Sequence, residues 1–301
     1  MRIVICGATS HIASAIIPFF SEHDLTLFAR NTEKLKGLDA RIESDFSQLS
    51  RTPCDILINC IGAGTPNIVR NDPSLWFSVL EEFDNLALES IKRCSPEARY
   101  IHFSSGAVFD RDSGYPSTEN SSRVIYPNNI QVKDYYSVSK IYAEAKHRSM
   151  SSLRILDLRI FSFFSRHIKL DSGYFMTDMV SAIKNDTTFV TSPHDIARDF
   201  PAPEDLAQII LRSSESDINT AADVRSAEMV RKSQIISHFT EKFGLKVEYT
   251  PDICCSPNGN ADVYYSASDK LQNIIDYTPR YTSIETLLSE TAAILQNSGQ
   301  A

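Results

Sequence analysis

The sequence predicts an α/β fold: a doubly wound parallel sheet carrying a smaller C-terminal lobe. Three observations lead there. Short apolar runs, each the length of a buried strand, recur at residues 2–6, 25–29, 56–60, 100–104 and 154–159. Segments with apolar residues at helical spacing separate them, an alternation that marks parallel strands joined by crossover helices. After about residue 165 Ser, Thr, Asn, Asp and Pro are more scattered and the alternation loses its regularity.

In chain order, strand 2–6 ends at Gly7 and 12–20 reads as the first helix. Ser10 and His11 interrupt the opening apolar stretch, so a strand, a turn and a helix fit residues 1–20 better than a signal peptide. The crossover helices at 73–93 and 134–150 have Pro73 and Asp134 near their starts, where such residues favour helix entry. Between strand 100–104 and the second of these runs a long loop, 110–133, of the kind that usually serves function. Further helices are expected at 205–212, 227–243 and 283–296. Residues 1–165 are expected to form a Rossmann-type dinucleotide-binding domain and 166–301 a substrate-binding lobe, with segments around 200–225 returning to the first domain.

Composition narrows the function classes. The 301 residues are 42% hydrophobic and 23% charged, which excludes a disordered, collagen-like or coiled-coil chain. Thirty basic against 38 acidic residues, a formal charge of −8, provide no positive field for nucleic acid or an anionic membrane surface. No apolar run reaches the roughly 18 residues a spanning helix needs. The six cysteines show no C-x-x-C pair; Cys254 and Cys255 read as small loop side chains before Pro257, and all six as reduced thiols of a cytoplasmic protein. The seven histidines have no ligand spacing, so no metal is expected. Only ten residues are glycine, and Gly7, Gly62, Gly64 and Gly106 all fall just after predicted strands.

The first of those turns is where a doubly wound sheet receives a dinucleotide pyrophosphate, on free backbone N–H groups and the positive end of a helix. Gly7, Thr9, Ser10, His11 and Ile12 are the expected contacts, although Ser10 and Ala13 stand where G-x-x-G-x-x-G would place glycine. After the strand 25–29 come Arg30 and Asn31, at the position facing the adenosine ribose. An acid there would suit NAD, whereas Arg30, with help from Lys34, favours the phosphate of NADP. Asp45 is placed at the adenine amine, and Asn59 and Gly62 where strand 56–60 passes the cofactor.

The chemistry is read from Ser105, Tyr136 and Lys140. Tyrosine and lysine four apart share a helix face, so the ammonium can favour the ionised phenol, which otherwise has a pKa of about 10 and is a poor base. A serine at a strand's carboxyl end can hydrogen-bond the same substrate oxygen as charge develops. Together they suit proton exchange with a carbonyl or alcohol oxygen.

These residues resemble the extended short-chain dehydrogenase/reductases, and within them the NAD-dependent epimerase/dehydratase group that acts on nucleotide sugars. Tyr136 and Lys140 match Y-x-x-x-K, Ser105 stands three residues before the Val108-Phe109 pair, and Asn85 matches a helical asparagine. Residues 158–162 resemble the strand beside the nicotinamide, 198–207 the R-D-F…D-D-L-A segment, and 268–279 the C-terminal pattern, so the likeness covers nearly the whole chain. It implies that Tyr136 is the general acid or base, that Lys140 binds the nicotinamide ribose, and that Phe161 lies beside the nicotinamide. It places Ser105, Gly106, Ser162 and Arg198 at the substrate, Arg198 as a diphosphate contact with Arg166 and His167 as weaker candidates. It further implies a homodimer through the helices at 73–93 and 134–150.

Two departures shape the functional expectation. Gly106 and Ala107 stand where 4,6-dehydratases of the group carry an Asp-Glu pair, which disfavours dehydration. Cys60 and His102 fall on strands and read as packing residues, not as the Cys-His pair of epimerising synthases. What remains is an NADPH-dependent reductase of a nucleotide-linked 4-keto-6-deoxy sugar in polysaccharide synthesis, with hydride from nicotinamide and a proton from Tyr136. The alternative is an NAD-dependent nucleotide-sugar 4-epimerase. A non-catalytic dinucleotide sensor is the third reading, disfavoured because Ser105, Tyr136 and Lys140 are all kept.

Overall fold

A computed structural model describes residues 1–63, 72–110, 114–251 and 261–297; Gly64, Cys254 and Cys255 lie outside them. From the N-terminus run β1 (Arg2–Cys6), α1 (His11–Ile16), β2 (Asp24–Phe28), β3 (Arg41–Glu43), β4 (Ile56–Asn59), α2 (Leu75–Cys94), β5 (Arg99–Ser105), α3 (Tyr135–Arg148) and β6 (Ile155–Ile160). Then come α4 (Phe175–Lys184), β7 (Thr188–Thr191), β8 (Ala197–Arg198), α5 (Pro203–Ser213), β9 (Thr220–Asp223) and β10 (Val230–Arg231). The chain closes with α6 (Lys232–Phe243), β11 (Lys246–Tyr249), β12 (Val263–Tyr264), α7 (Lys270–Ile275) and α8 (Ser283–Asn297).

The main sheet has the order β3-β2-β1-β4-β5-β6-β9, and every pairing in it is parallel. This is the doubly wound architecture the alternation predicts. β1 and β4 are largely apolar on both faces, as a sheet covered by helices on each side requires, whereas β5 and β6 turn His102, Ser104 and Asp157 to one buried face. Ile3, Ile5, Leu27, Ile56, Ile58 and Ile101 enter one core with Leu206 and Ile210 of α5, while Val4, Leu57 and Tyr100 face α2 in another. A separate core under the C-terminal lobe gathers Met179, Phe189, Phe200, Ile235, Phe239 and Leu287.

Several elements differ from the periodicity reading, each for a local reason. The helix expected over 12–20 stops at Ile16 and continues as a 3-10 turn, Ile17–Phe20, because Pro18 has no N–H for the helical ladder. The helix expected from 227 starts only at Lys232, since Val230 and Arg231 first pair antiparallel with Arg198 and Ala197. β3 and β9 carry little apolar signal and are strands by pairing. Arg99, fully buried, secures the return to β9 by donating to the carbonyls of Ser213 and Ile218 at 2.9 and 2.7 Å and to that of Ser216. No helix among the described residues is long and apolar enough to cross a membrane.

Candidate active site

The strand order reverses at β1, whose neighbours are β2 and β4, and the crevice beyond the strand ends at that point is where this fold takes a ligand. Gly7 closes β1 with φ of +75°, and a Cβ there would stand 2.9 Å from Ile61 Cγ1 and 3.0 Å from the Cys60 carbonyl carbon. Only glycine allows this turn and this approach together. Ser10 caps α1 by accepting from Ala13 N at 3.3 Å, and Ala13 is wholly buried, so the helix reaches the sheet without glycine at either position. Thr9, Ser10, His11 and Gly62 line the adjoining cavity, and the N–H groups of Thr9, His11 and Ile12 donate to no described backbone carbonyl. These features fit a dinucleotide.

Other expected cofactor residues are engaged elsewhere. The His11 ring hydrogen-bonds Ser165 Oγ at 2.9 Å and packs on Phe163, and burial pulls it down to about 4. Asn59 is buried, donating to Tyr100 Oη at 3.0 Å and accepting from Ile61 N, so its amide shapes the turn and is not turned to the crevice. Asp45 accepts from Ser47 N and Oγ and from Gln48, capping a 3-10 helix; those bonds hold its carboxyl below the usual range. Arg30 and Asn31 are exposed just past β2, and Lys34 lines the cavity.

Ser105 ends β5, buried, its Oγ accepting from Ala107 N at 3.2 Å. α3 packs on β5 and on the one-turn helix Gly106–Val108, and Lys140 Nζ donates to the Phe103 carbonyl at 2.7 Å, two residues from Ser105. Loss of water around that ammonium lowers the lysine to about 8, against the opposing pull of Asp157, Asp84 and Glu144. Tyr136, one turn earlier, is half-buried against Trp76, ring centroids 4.7 Å apart. The structure therefore draws the serine and the Tyr-Lys helix to one strand end.

Sequence reasoning missed three features here. Tyr264 of β12 brings its hydroxyl to 3.5 Å from Ser105 Oγ, although its partner is far away in the chain. Asn85 lies on the exposed face of α2, and the buried position belongs to Asp84. His102 is no packing residue: its Nδ1 stands 2.7 Å from Asp157 Oδ1 in a buried polar network. Gly106 has its own reason, because a Cβ would run into the Phe161 ring.

A cavity of about 1130 Å³ lies between the β1 turn and the C-terminal lobe. Phe161, Ser162, His167, Tyr174, Arg198 and Lys232 line it, whereas Ser105, Tyr136 and Lys140 do not. Phe161 belongs to both regions, since it also packs on Phe109 and Tyr264. Arg198 is buried, donating to the carbonyls of Ala197 and Ala261 at 2.8 and 3.0 Å while bordering the cavity. Arg166 is outside the lining and paired with Glu290 at 2.8 Å, which removes it from the diphosphate candidates. Lys232, unforeseen from the sequence, is a buried cation held by the Ser192 carbonyl at 2.6 Å.

Comparison with known proteins agrees with this layout. No curated protein sequence matches significantly. Among solved structures, a UDP-N-acetylglucosamine 4-epimerase from Methanobrevibacter ruminantium M1 superposes with TM-score 0.80 at 18% identity, covering 98% of each chain. A UDP-glucuronic acid 4-epimerase from Bacillus cereus gives 0.79 at 16% identity over 99% of this chain and 100% of that one. A UDP-glucose 4-epimerase from Stenotrophomonas maltophila gives 0.82 at 12% identity over 100% and 99%. At such identities the likeness speaks for the fold. The family model for the NAD dependent epimerase/dehydratase family matches residues 3–222, from β1 through the strand that completes the sheet. With its glycine turn at the switch point and Ser105 beside the Tyr-Lys helix, the chain is an enzyme of oxidoreductase-type chemistry and belongs to the NAD dependent epimerase/dehydratase family.

Proposed function

We propose that the protein is a nucleotide-sugar 4-epimerase acting through reversible oxidation at the sugar's C4. The observation that carries this reading is the convergence of Ser105, Tyr136 and Lys140 at the end of β5, in a chain whose fold matches 4-epimerases end to end. Tyr136 takes the proton of the sugar hydroxyl and later returns it, Lys140 favours the ionised phenol, and Ser105 hydrogen-bonds the reacting oxygen. Gly7, Thr9, Ser10, Ile12, Gly62, Lys140 and Phe161 would hold the nicotinamide dinucleotide, which supplies hydride acceptance and return when bound. Inversion requires the oxidised sugar to present its other face before the hydride returns.

The second reading is the NADPH-dependent 4-keto sugar reductase, and Arg30 is the observation that favours it. Exposed at the end of β2 with Lys34 nearby in the chain, it suits a ribose phosphate better than free hydroxyls. The experiment offers UDP-, thymidine-, CDP- and GDP-linked hexoses and 4-keto sugars with NAD and with NADPH. Epimerisation forms product with no net change in cofactor, and stoichiometric NADPH oxidation overturns it in favour of reduction. Tyr136→Phe should lower turnover by about 10²- to 10⁴-fold; unchanged turnover would refute the assignment of that residue.

A further inference from the structure

Of the three groups drawn to the end of β5, two are fixed by bonds within the sheet region. Ser105 is paired in the sheet and its Oγ accepts from Ala107 N, while Lys140, one turn into α3, donates to the Phe103 carbonyl at 2.7 Å. Tyr136 is placed differently. It is the second residue of α3, in the turn where the helical ladder is incomplete and a helix frays most readily. A phenol that exchanges a proton with a substrate oxygen must nevertheless be held to within about 0.5 Å of its productive position.

Two supports meet Tyr136 there. The backbone is led into α3 by the turn Val132–Asp134, in which Asp134 accepts from Gln131 N at 3.1 Å and from Arg123 Nη2 at 2.6 Å. The ring packs on Trp76 of α2, centroids 4.7 Å apart and planes inclined by 58°. The next pair repeats the contact, Phe77 meeting Tyr135 edge to face at 6.2 Å. Consecutive aromatic residues at the start of α2 thus clasp consecutive aromatic residues at the start of α3, in the inclined geometry that ring quadrupoles prefer to a flat sandwich.

Trp76 is itself anchored. Its N–H donates to the Pro73 carbonyl at 3.2 Å, and Asp72 secures the same turn by accepting from Ser74 N and Oγ at 3.1 and 2.6 Å. Further along, the two helices are tied again: Asp84 of α2 accepts from Lys146 of α3 at 2.5 Å and lies 3.0 Å from His147 Nε2. With α2 and α3 fastened at both places, the indole cannot slide along the phenol. We propose that Trp76 is a positioning residue for the proton transfer, its ring fixing the orientation of the Tyr136 phenol. The proposal rests on reading Tyr136 as the proton-transfer residue. Truncating the indole opens space into which the phenol can turn, and the loss falls on kcat because Tyr136 acts on the reacting oxygen and does not hold the nucleotide.

The test is a double-mutant cycle with the substrate and cofactor that turn over. Trp76→Ala should lower kcat by about 10- to 100-fold with KM within about twofold of wild type, and Trp76→Phe, which keeps a ring against the phenol, should recover most of the loss. In the Tyr136→Phe background, followed at high enzyme concentration, Trp76→Ala should cost no more than about twofold. Phe77→Leu loosens the same clasp away from the Tyr136 ring and should leave kcat within about twofold of wild type. Unchanged kcat in folded Trp76→Ala overturns the proposal, as does an equal loss in both backgrounds or in Phe77→Leu, which would assign the effect to helix docking. If Trp76→Ala does not fold, Trp76→Leu is judged by the same cycle. The contact also has a readout free of activity: a single tryptophan gives a single indole N–H resonance, which Tyr136→Leu should shift by removing the neighbouring ring. An unmoved resonance overturns the contact. A resonance that moves, in an enzyme whose turnover survives Tyr136→Phe, instead overturns the reading of Tyr136 on which the role depends.

Discussion

At Gly106 the decisive fact is the absence of a side chain, because the ring of Phe161 occupies the space a Cβ would need. Phe161 is itself buried, stacked on Phe109 and tilted against Tyr264, so it has little freedom to withdraw. Gly106→Ala should therefore destabilise the protein by about 1–3 kcal/mol through overpacking and weaken ligand binding beside Ser105; thermal melts and a binding titration check both. Residues of this kind differ in how far they can be read from the chain. Tyr136 and Lys140 are legible because four residues on a helix make one face. Asp84 and Asn85 are not, since one residue along a helix turns the side chain by about 100° and only packing shows which of the two faces inward.

Among the elements, α5 depends on Asp205 in its first turn. This buried carboxylate accepts from Tyr277 Oη at 2.5 Å, Arg280 N at 3.1 Å and Tyr281 N at 3.1 Å, and so fastens the segment between α7 and α8 to the helix. Asp199, on the segment leading into α5, does the same for the other side, accepting from Ser226 N at 2.9 Å and Ser283 Oγ at 3.2 Å. The acidic residues around 199–205 thus act as anchors between elements remote in sequence. Asp205→Ala leaves three donors without their acceptor and should lower unfolding free energy by about 3 kcal/mol, read from urea denaturation; Asp205→Asn, which keeps an acceptor oxygen, should lose less.

Over the whole molecule, stability should peak close to pH 6.5. His147 is raised to about 9 by its bonds to Asp157 and Asp84, which outweigh the opposing effect of burial. Its contribution is complete below its unfolded value of about 6.5 and is lost as pH climbs through 9, a loss on the order of 3 kcal/mol. Lys140, lowered to about 8 by desolvation, acts with the opposite sign above pH 8 and blunts the decline. On the acid side, burial lowers His11 to about 4 and also depresses His102, so stability falls as pH drops below 6.5 and the unfolded histidines take up protons. Melting temperatures from pH 5 to 9.5 check this, and His147→Gln should flatten the alkaline side.

The fold class was legible throughout because five apolar runs and the helices between them are local signals, each set by a few neighbouring residues. The same holds for Gly7 and for Ser105, Tyr136 and Lys140, which stand at strand ends or at a fixed helical interval. β3 and β9 were hidden because their residues become strands only by pairing with β2 and β6. Tyr264 at Ser105, and the histidine pair on Asp157 behind Lys140, join residues from different elements. Hydrogen bonds of that kind depend on which faces meet across the sheet, and side-chain direction there follows from three-dimensional register, which no local pattern in the chain encodes.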